Sequence, residues 1–475
     1  MLKSLNVFFL NKFSKYNSTK FIVFLFGIIL IIFLSFILNS HFGIKGIVII
    51  FALVLAMLTL YNIYFTYSII LLLLFTPHLL SIHISILFSV FVGLSLLFTY
   101  SGNFSEKLNK KVIYSFLVYI LSTLPSLFVT SKPLYSLLGT TNLIAFLIIM
   151  ITTMLIIDTP KKMMNVLYFF IFAALFHSFI VIYQGITTDE RVFGLLGVYF
   201  VDFAGLGSLL TAILFFQTDG YKKLFWGIIS LLIIFALILT QTRNAWLSFA
   251  VAFFTLIIYL SVNRKKYKMN IIYISLMFIV LIVGVSISFS TLSKTDTAVE
   301  KRLDVGSKTL QLSNNAPTGK INSFISRIMI WHTAYMAFLK HPITGIGLYS
   351  FRYTSDKYYK IPKTFYKEFV EGRTPHVTYI EVFAETGIIG FIGFSVFLFS
   401  LIRIIIYSLK YSGDKENLKR TLLISWSFVY IIFSMAMTEA WLYGQYLMWF
   451  GVMIGLLSNN QKLLEKETTS FDFIR

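Results

Sequence analysis

Apolar runs of about 18 to 20 residues recur from one end of the chain to the other, with short polar connectors between them. The pattern predicts an all-α polytopic membrane protein with about 12–14 transmembrane helices. The first run, from Phe21 to Leu38, is longer than a signal-peptide core, so we expect it to be retained as a helix. We place the spans near residues 21–39, 43–60, 62–79, 83–100, 112–130, 134–157, 164–183, 197–216, 224–241, 244–262, 271–291, 387–406, 421–438 and 441–457.

Positive charge marks one side of this predicted bundle. With the N-terminus inside, the charged cytoplasmic connectors are rich in Lys or Arg, as the positive-inside rule requires. The same alternation puts residues 292–386 outside the membrane. The net charge of +20 falls mostly in such connectors, so it does not indicate binding to nucleic acid. The connectors are Glu106–Lys111, Asp158–Lys162, Lys222–Lys223, Asn263–Lys268 and Lys410–Arg420.

The outer loop, residues 292–386, is too long and too patterned to be a simple connector. Part of it predicts an amphipathic helix that lies along the membrane surface or caps the bundle, and His341-Pro342 ends this helix. One face of the helix carries Phe324, Ile328, Trp331, Tyr335 and Phe338. The predicted organisation is N-terminal transmembrane helices at 1–190, further transmembrane helices at 191–291, the large loop at 292–386, and C-terminal helices with a short cytoplasmic tail at 387–475.

The amino-acid composition excludes some classes of functional site. Of the chain's residues, 57% are hydrophobic and 13% are charged, and there is no cysteine. A disulfide framework and a thiolate metal site are therefore excluded. The outer loop also has no DxD or His-x-x-x-His pattern for a metal ion. We expect metal-independent chemistry with no cofactor.

The polar segment that ends the outer loop carries the strongest candidate chemistry. His376 stands at the boundary between water and membrane, and histidine side chains titrate close enough to neutrality to act as general bases. Glu381 and Glu385 follow one turn apart on a helix predicted to begin after Pro375. These carboxylates orient the histidine or a substrate, or else they only cap the helix or face solvent.

Two arginines lie at the same predicted boundary. Arg243 stands in a polar break between two apolar runs, and Arg327 lies on the amphipathic helix. Arginine can hydrogen-bond a phosphate through two N–H groups at once. Taken singly, each residue also fits an ordinary interfacial cation.

These residues belong to a series of short motifs between about residue 191 and residue 390. The motifs are Arg191-Val192-Phe193-Gly194, Gln241-Thr242-Arg243-Asn244-Ala245-Trp246, Arg327 with Trp331, His341-Pro342-Ile343-Thr344-Gly345-Ile346-Gly347, Pro375-His376, Tyr379-Ile380-Glu381 and Glu385-Thr386-Gly387-Ile388-Ile389-Gly390. In order and spacing they resemble the O-antigen ligase and polymerase superfamily of bacterial membrane proteins. Beyond Gly194, only Asp202 stands where the family tends to have an Asn- or Asp-containing stretch.

The resemblance implies a membrane glycosyltransferase in the bacterial plasma (inner) membrane. Its donor would be a glycan on undecaprenyl diphosphate, and its acceptor a sugar hydroxyl on a second lipid-borne molecule at the outer face. Arg243, Arg327 and Arg191 would hold the diphosphate, and His376 would take the proton of the acceptor. Both ligation, as in O-antigen attachment, and polymerisation, as in capsule synthesis, remain open. Other proteins of envelope polysaccharide assembly would be partners.

A multi-span transporter or flippase for a lipid-linked glycan is the competing class. Such proteins bind substrate near the bilayer midplane, between repeats with broken helices. Here the distinctive polar residues gather at the predicted outer face, and no inverted repeat is visible in the sequence. The pattern therefore favours the transferase.

Overall fold

The computed structural model describes residues 104–188, 192–197, 199–263, 323–437 and 444–472. All regular structure in these ranges is helical, which confirms the predicted all-α class. Short 3₁₀ turns lie at Gly194–Leu196 and Ser355–Lys357. The α-helices are α1 (Phe104–Lys107), α2 (Lys110–Thr123), α3 (Pro125–Val129), α4 (Pro133–Ile156), α5 (Pro160–Thr187), α6 (Tyr199–Gln217), α7 (Tyr221–Leu239), α8 (Arg243–Val262), α9 (Ser323–Lys340), α10 (Phe351–Thr354), α11 (Lys363–Phe369), α12 (Thr378–Tyr411), α13 (Lys415–Met435) and α14 (Gly444–Asp472).

Eight of the spans in the described residues are long and apolar enough to cross a membrane. They are α2 continued by α3, and then α4, α5, α6, α7, α8, α12 and α13. The chain is therefore a polytopic membrane protein, as predicted. The spans predicted before residue 101 and at 271–291 lie outside the described residues. The last predicted span, 441–457, falls on α14, which is not among the eight.

Capping residues in the polar connectors set where several helices begin. The Thr159 hydroxyl accepts the N–H of Lys162 at 3.4 Å where α5 starts. Asp414 Oδ1 accepts the N–H groups of Glu416 and Asn417, both at 2.9 Å, where α13 starts. Proline stands in the first turn of α3, α4 and α5, where its missing N–H costs no hydrogen bond. The residues that interrupt the apolar pattern thus also start the next helix.

Ion pairs join the connectors at one end of the bundle. Asp158 accepts from Lys107 and from Lys162, both at 2.7 Å. Lys415 pairs with Asp219 at 2.5 Å. These contacts link the segments that follow α1, α4, α6 and α12, all predicted to be cytoplasmic. We call this the basic end, and the opposite end of the bundle the site end.

Close aromatic packing holds the middle of the bundle together. The Phe116 ring lies 4.6 Å from that of Phe146 and 4.8 Å from that of Phe397, measured between centroids. Phe146 also contacts Phe450, at 5.5 Å. These four rings come from α2, α4, α12 and α14. Residues 446–460 of α14 are buried without interruption, so this helix runs through the interior.

The described part of the long loop, residues 323–377, forms a small hydrophobic core of its own at the site end. The predicted helix is present as α9 and ends at Lys340, next to His341-Pro342 as expected. Of the predicted aromatic face, Ile328 and Tyr335 are exposed, whereas Trp331 and Phe338 are half-buried. The core cluster instead takes small or branched residues from α9 and consists of Ile330, Ala334, Ala337, Ile346, Phe351, Tyr358, Phe365, Tyr366, Phe369, Val370 and Ala384.

Residues 323–377, which we call the outer region after their predicted side of the membrane, are fixed to the membrane helices at the junction of α3 and α4. The Ser350 hydroxyl lies 3.0 Å from that of Thr130 and 2.8 Å from that of Ser136. The N–H of Leu348 donates to the Ser126 hydroxyl at 3.2 Å. These hydrogen bonds therefore fix the position of the outer region relative to α3 and α4.

Candidate functional site

His376 lies in the turn that leads from the outer region into α12. Its backbone φ is 55°, in the left-handed region that few residues other than glycine adopt. Histidine, asparagine and aspartate are the side chains that tolerate this conformation best. Such a backbone persists only where the surrounding structure imposes it. The imidazole is half-buried.

Trp331 imposes part of that conformation. Its indole Nε1 donates to the carbonyl oxygen of Pro375 at 2.7 Å, one residue before the histidine. A tryptophan N–H in a partly buried position needs an acceptor, and here the acceptor is the backbone of the turn. Helix α9 therefore holds the peptide that carries His376.

Arg327, on the same helix, is held by a contact with α8. Its Nη1 donates to Asn244 Oδ1 at 3.2 Å, and Asn244 Nδ2 donates to the carbonyl oxygen of Met437 at 2.9 Å. Asn244 belongs to the first turn of α8, and Met437 follows the end of α13. One amide side chain thus orients the guanidinium and ties α8 to α13.

Helix α9 brings these two groups of contacts together. Arg327 and Trp331 are four residues apart on α9 and so share a face. One contacts the start of α8 and the other contacts the turn of His376. Three stretches that are far apart in the sequence, around residues 244, 327 and 376, therefore meet at the site end.

The structure describes the other two candidate arginines only in part. Arg243 is the first residue of α8 and precedes Asn244, but its side chain and the whole of Arg191 lie outside the described residues. The turn before Arg243 is well anchored. Gln241 has a φ of 52°, and Trp246 Nε1 donates across the turn to the carbonyl oxygen of Leu237 at 2.9 Å. The backbone position of Arg243 is thus next to the Asn244–Arg327 contact.

Glu385 binds backbone. Its Oε2 accepts the N–H of Tyr349 at 2.6 Å, and its Oε1 accepts the N–H of Phe351 at 2.9 Å. Only 1% of Glu385 is exposed. Charge-assisted bonds to two amides offset the cost of burying the carboxylate. Glu385 therefore fixes α12 to the start of α10. The sequence had left open whether it orients the histidine or a substrate, caps the helix or faces solvent.

Glu381 lies one turn earlier on the same helix and is equally buried, at 1% exposure. Both carboxylates act on the phenol of Tyr349. Burial raises the pKa of this phenol, Tyr353 and the charges of Glu385 and Glu381 raise it further, and Arg352 opposes the rise.

Helix α12 is broken just after these carboxylates. Gly387 has φ 64° and ψ −165°, which no helix accommodates. The free backbone groups at the break bind the loop that follows α9. The N–H groups of Ile346 and Gly347 donate to the carbonyls of Ala384 and Glu385 at 3.2 and 2.9 Å. In return, Ile388 N–H donates to the carbonyl of Pro342 at 2.9 Å.

Glycine is required on both sides of this contact. Gly345 has a φ of 71°, and a Cβ placed on it would overlap the carbonyl group of Glu385. A Cβ on Gly387 would overlap the carbonyl oxygen of Ile343. We call residues 342–347 with 384–389 the backbone clasp. It sets the angle between the short helix that starts after His376 and the membrane span of α12.

The other histidines of the outer region have different surroundings. Burial lowers the pKa of the His341 imidazole, and the charge of Lys340 adds to the lowering. His332 lies within α9, and its Nδ1 is buried without a hydrogen-bond partner. Only His376 combines a half-buried side chain with a backbone anchored by Trp331. Among the described residues there is no cluster of three or more His, Asp or Glu side chains that could hold a metal ion.

Comparison with known families matches the part of the chain that contains these contacts. Residues 228–395 fit the family described as O-Antigen ligase. We call residues 228–395, which are similar to this family, the O-antigen ligase segment. The match begins in α7 and ends in α12, so it contains Asn244, Arg327, Trp331 and His376. A comparison with curated proteins finds no match.

The O-antigen ligase segment contains residues whose positioning role the sequence did not reveal. Asn244 and Trp331 stand in the motifs, but their partners are backbone carbonyls at Met437 and Pro375, far away in the chain. The available signals in the sequence were a polar residue directly after Arg243 and a tryptophan one helical turn after Arg327. Arg191 precedes the segment, and α13 and α14 follow it.

Proposed function

We propose that this protein is a glycosyltransferase of surface polysaccharide assembly. It transfers a glycan from undecaprenyl diphosphate to a sugar hydroxyl on a second lipid-borne molecule. The observation that carries the proposal is the convergence of Arg327, Asn244 and the His376 turn on α9, within the O-antigen ligase segment. This arrangement puts a cation for phosphate and a base for a hydroxyl on one support.

The arginines act on the donor. Arg327 and Arg243 bind the diphosphate, with Arg191 as a third contributor, and each charge-assisted hydrogen bond contributes about 1.5–3 kcal/mol. As the bond between sugar C1 and the diphosphate oxygen breaks, its electron pair leaves with the diphosphate. The guanidinium groups stabilise that developing charge. Asn244 keeps Arg327 in place for this step.

His376 acts on the acceptor. Its neutral imidazole takes the proton of the attacking hydroxyl while the oxygen forms the new bond to C1. General-base catalysis of this kind contributes about 10²- to 10⁴-fold. The imidazolium then returns its proton to water. The cations balance the diphosphate, and we propose that no metal ion is needed.

The two buried carboxylates have supporting roles in this scheme. Glu385 is a positioning residue, since its oxygens bind the amides of Tyr349 and Phe351. Glu381 is buried on the same helix, one turn nearer to His376. We therefore propose that neither carboxylate binds the substrate directly.

We propose that the reaction takes place at the outer face of the bacterial plasma membrane. The proposal is supported by the basic end, where lysines gather as in cytoplasmic connectors, opposite the site end. Because the chain has no cysteine, single cysteines at the exposed positions Asp356 and Gly413 report the sides directly. An impermeant thiol reagent should label the first in intact cells and not the second. Labelling of Gly413→Cys alone would invert the orientation.

Transfer by the purified protein tests the function. The substrate is a lipid-linked glycan isolated from a strain that lacks this protein, in vesicles with no ion gradient. Formation of a longer or newly attached glycan supports the transferase. Movement of intact donor between leaflets, without a new glycosidic bond, would support the flippase instead. In the deletion strain, single repeat units on the carrier indicate a polymerase, and long carrier-linked chains indicate a ligase.

A further inference from the structure

Asp202 is a buried carboxylate that takes no part in the scheme above. It lies in the first turn of α6 and is 8% exposed. Its Oδ1 accepts from the hydroxyl groups of Tyr430 at 3.2 Å and Ser434 at 2.5 Å. Its Oδ2 accepts from the Tyr446 hydroxyl at 2.8 Å. A carboxylate among apolar helices is costly unless hydrogen-bonded, and these three donors offset the cost.

The donors show what Asp202 holds. Tyr430 and Ser434 are one turn apart near the end of α13, and Tyr446 lies in the first turn of α14. Gly205 permits this close approach, because a Cβ at that position would overlap the Tyr430 hydroxyl. Asp202 therefore fixes the site end of α13 against α6 and α14.

That same end of α13 is bound by both halves of the candidate site. The Tyr379 hydroxyl, three residues after His376, donates to the Ile432 carbonyl at 3.0 Å. Asn244, which orients Arg327, donates to the Met437 carbonyl at 2.9 Å. The last turn of α13 tightens, with Met437 N–H donating to the Ser434 carbonyl at 2.8 Å. Carbonyls at a helix end lack intrahelical partners, so side chains can use them.

We propose that Asp202 is a positioning residue for glycan transfer. It holds the end of α13, and this end in turn sets the position of Arg327 through Asn244 and that of His376 through Tyr379. The proposal rests on the proposed function. It also assigns a role to a residue outside the matched O-antigen ligase segment.

Asp202→Asn keeps the size of the side chain and removes the charge that orders the three hydroxyls. The expected loss is about tenfold in kcat with a small change in the donor KM, because the groups are misaligned rather than removed. Ser434→Ala deletes one of the donors and should cause a smaller loss of the same kind. This second variant keeps the test valid if Asp202→Asn does not yield folded protein.

A double-mutant cycle separates positioning from a general loss of structure. Asp202 and Asn244 bind α13 at different residues, so independent losses of about tenfold each would multiply to about a hundredfold in the double variant. If both act through the end of α13, the double variant should be no more than about threefold worse than the worse single variant. The matched control is Asn460→Ala, which removes the bonds to Arg420 and Thr421 at the basic end of the same helix.

The proposal is supported if the losses of transfer caused by changing Asp202 and Asn244 do not multiply in the double variant, while those caused by changing Asn460 and Asn244 do multiply. Multiplication in both cycles, or coupling in both, would overturn it. Binding of undecaprenyl diphosphate to the parent and to Asp202→Asn in nanodiscs, measured by native mass spectrometry, should be similar, because the groups are misaligned rather than removed. If the parent binds this lipid but shows no transfer, the proposed function fails. Transfer by the parent with multiplication in both cycles overturns only the role of Asp202.

Discussion

The two ends of the bundle are held together by different interactions. At the basic end, ion pairs join the connectors, and Lys415 and Asp219 remain largely exposed, although the buried Asn459 also binds the carbonyls of Met154 and Ile157. At the site end, side chains bind backbone carbonyls and amides, and the backbone clasp joins two segments through peptide groups. Exposed ion pairs tolerate exchange and contribute little to stability. Buried bonds to backbone fix geometry, as a reaction centre requires.

The largest expected difference between the ends is in the stability cost of replacing two glycines that share a left-handed backbone conformation. Gly345 (φ 71°) is packed against Glu385, whereas Gly220 (φ 62°) at the basic end has nothing within 4 Å. Gly220→Ala should cost about 1 kcal/mol, the strain of a left-handed residue. Gly345→Ala adds a backbone overlap and should cost on the order of 4 kcal/mol or more, with loss of transfer. Thermal unfolding in detergent measures both, and equal losses would contradict the clasp.

The second test compares cations at the two ends. Arg327→Ala should lower transfer by about 10²- to 10³-fold, as expected when a group that stabilises the leaving charge is lost. Arg327→Lys should recover little, because an ammonium group lacks the planar fork that binds phosphate. Lys415→Ala, at the basic end, should leave transfer unchanged. Full activity of Arg327→Lys would reduce the residue to a general positive charge.

A smaller effect is expected at the anchor of the histidine turn. Trp331→Phe keeps an aromatic side chain but removes the indole N–H that donates to Pro375, a bond that contributes about 1 kcal/mol net. Transfer should fall by about fivefold, in kcat rather than in donor binding. Trp246→Phe, which removes an equivalent bond to Leu237 in the turn before α8, is the matched control. A larger effect on donor binding is expected there, since that turn precedes Arg243.

Hydropathy and connector chemistry predicted the membrane helices closely. The spans predicted at 112–130 and 134–157 correspond to Lys110–Val129 and Pro133–Ile156, because proline and charged residues interrupt the apolar pattern at the helix ends. The order of the motifs also suggested that Arg327 and His376 act together, and the structure links both through α9.

Tertiary contacts account for what the sequence could not predict. The break in α12 was invisible because the groups that stabilise it come from residues 342–346, about forty positions earlier. The partners of Glu385 are backbone amides, which leave no mark in a side-chain pattern. The aromatic spacing predicted the helix α9 itself. It did not predict that Ile330, Ala334 and Ala337, on another stripe of this helix, pack into the core of the outer region.

The most direct test of the account separates binding from transfer at His376. Asparagine tolerates a left-handed backbone but cannot act as a base at neutral pH, so His376→Asn should keep the turn while removing the chemistry. His341→Asn and His332→Asn are the controls. The account predicts that His376→Asn binds the lipid-linked donor like the parent and transfers its glycan about 10²- to 10⁴-fold more slowly, with both controls near the parental rate. Near-parental transfer by His376→Asn, with a loss in either control, would contradict it.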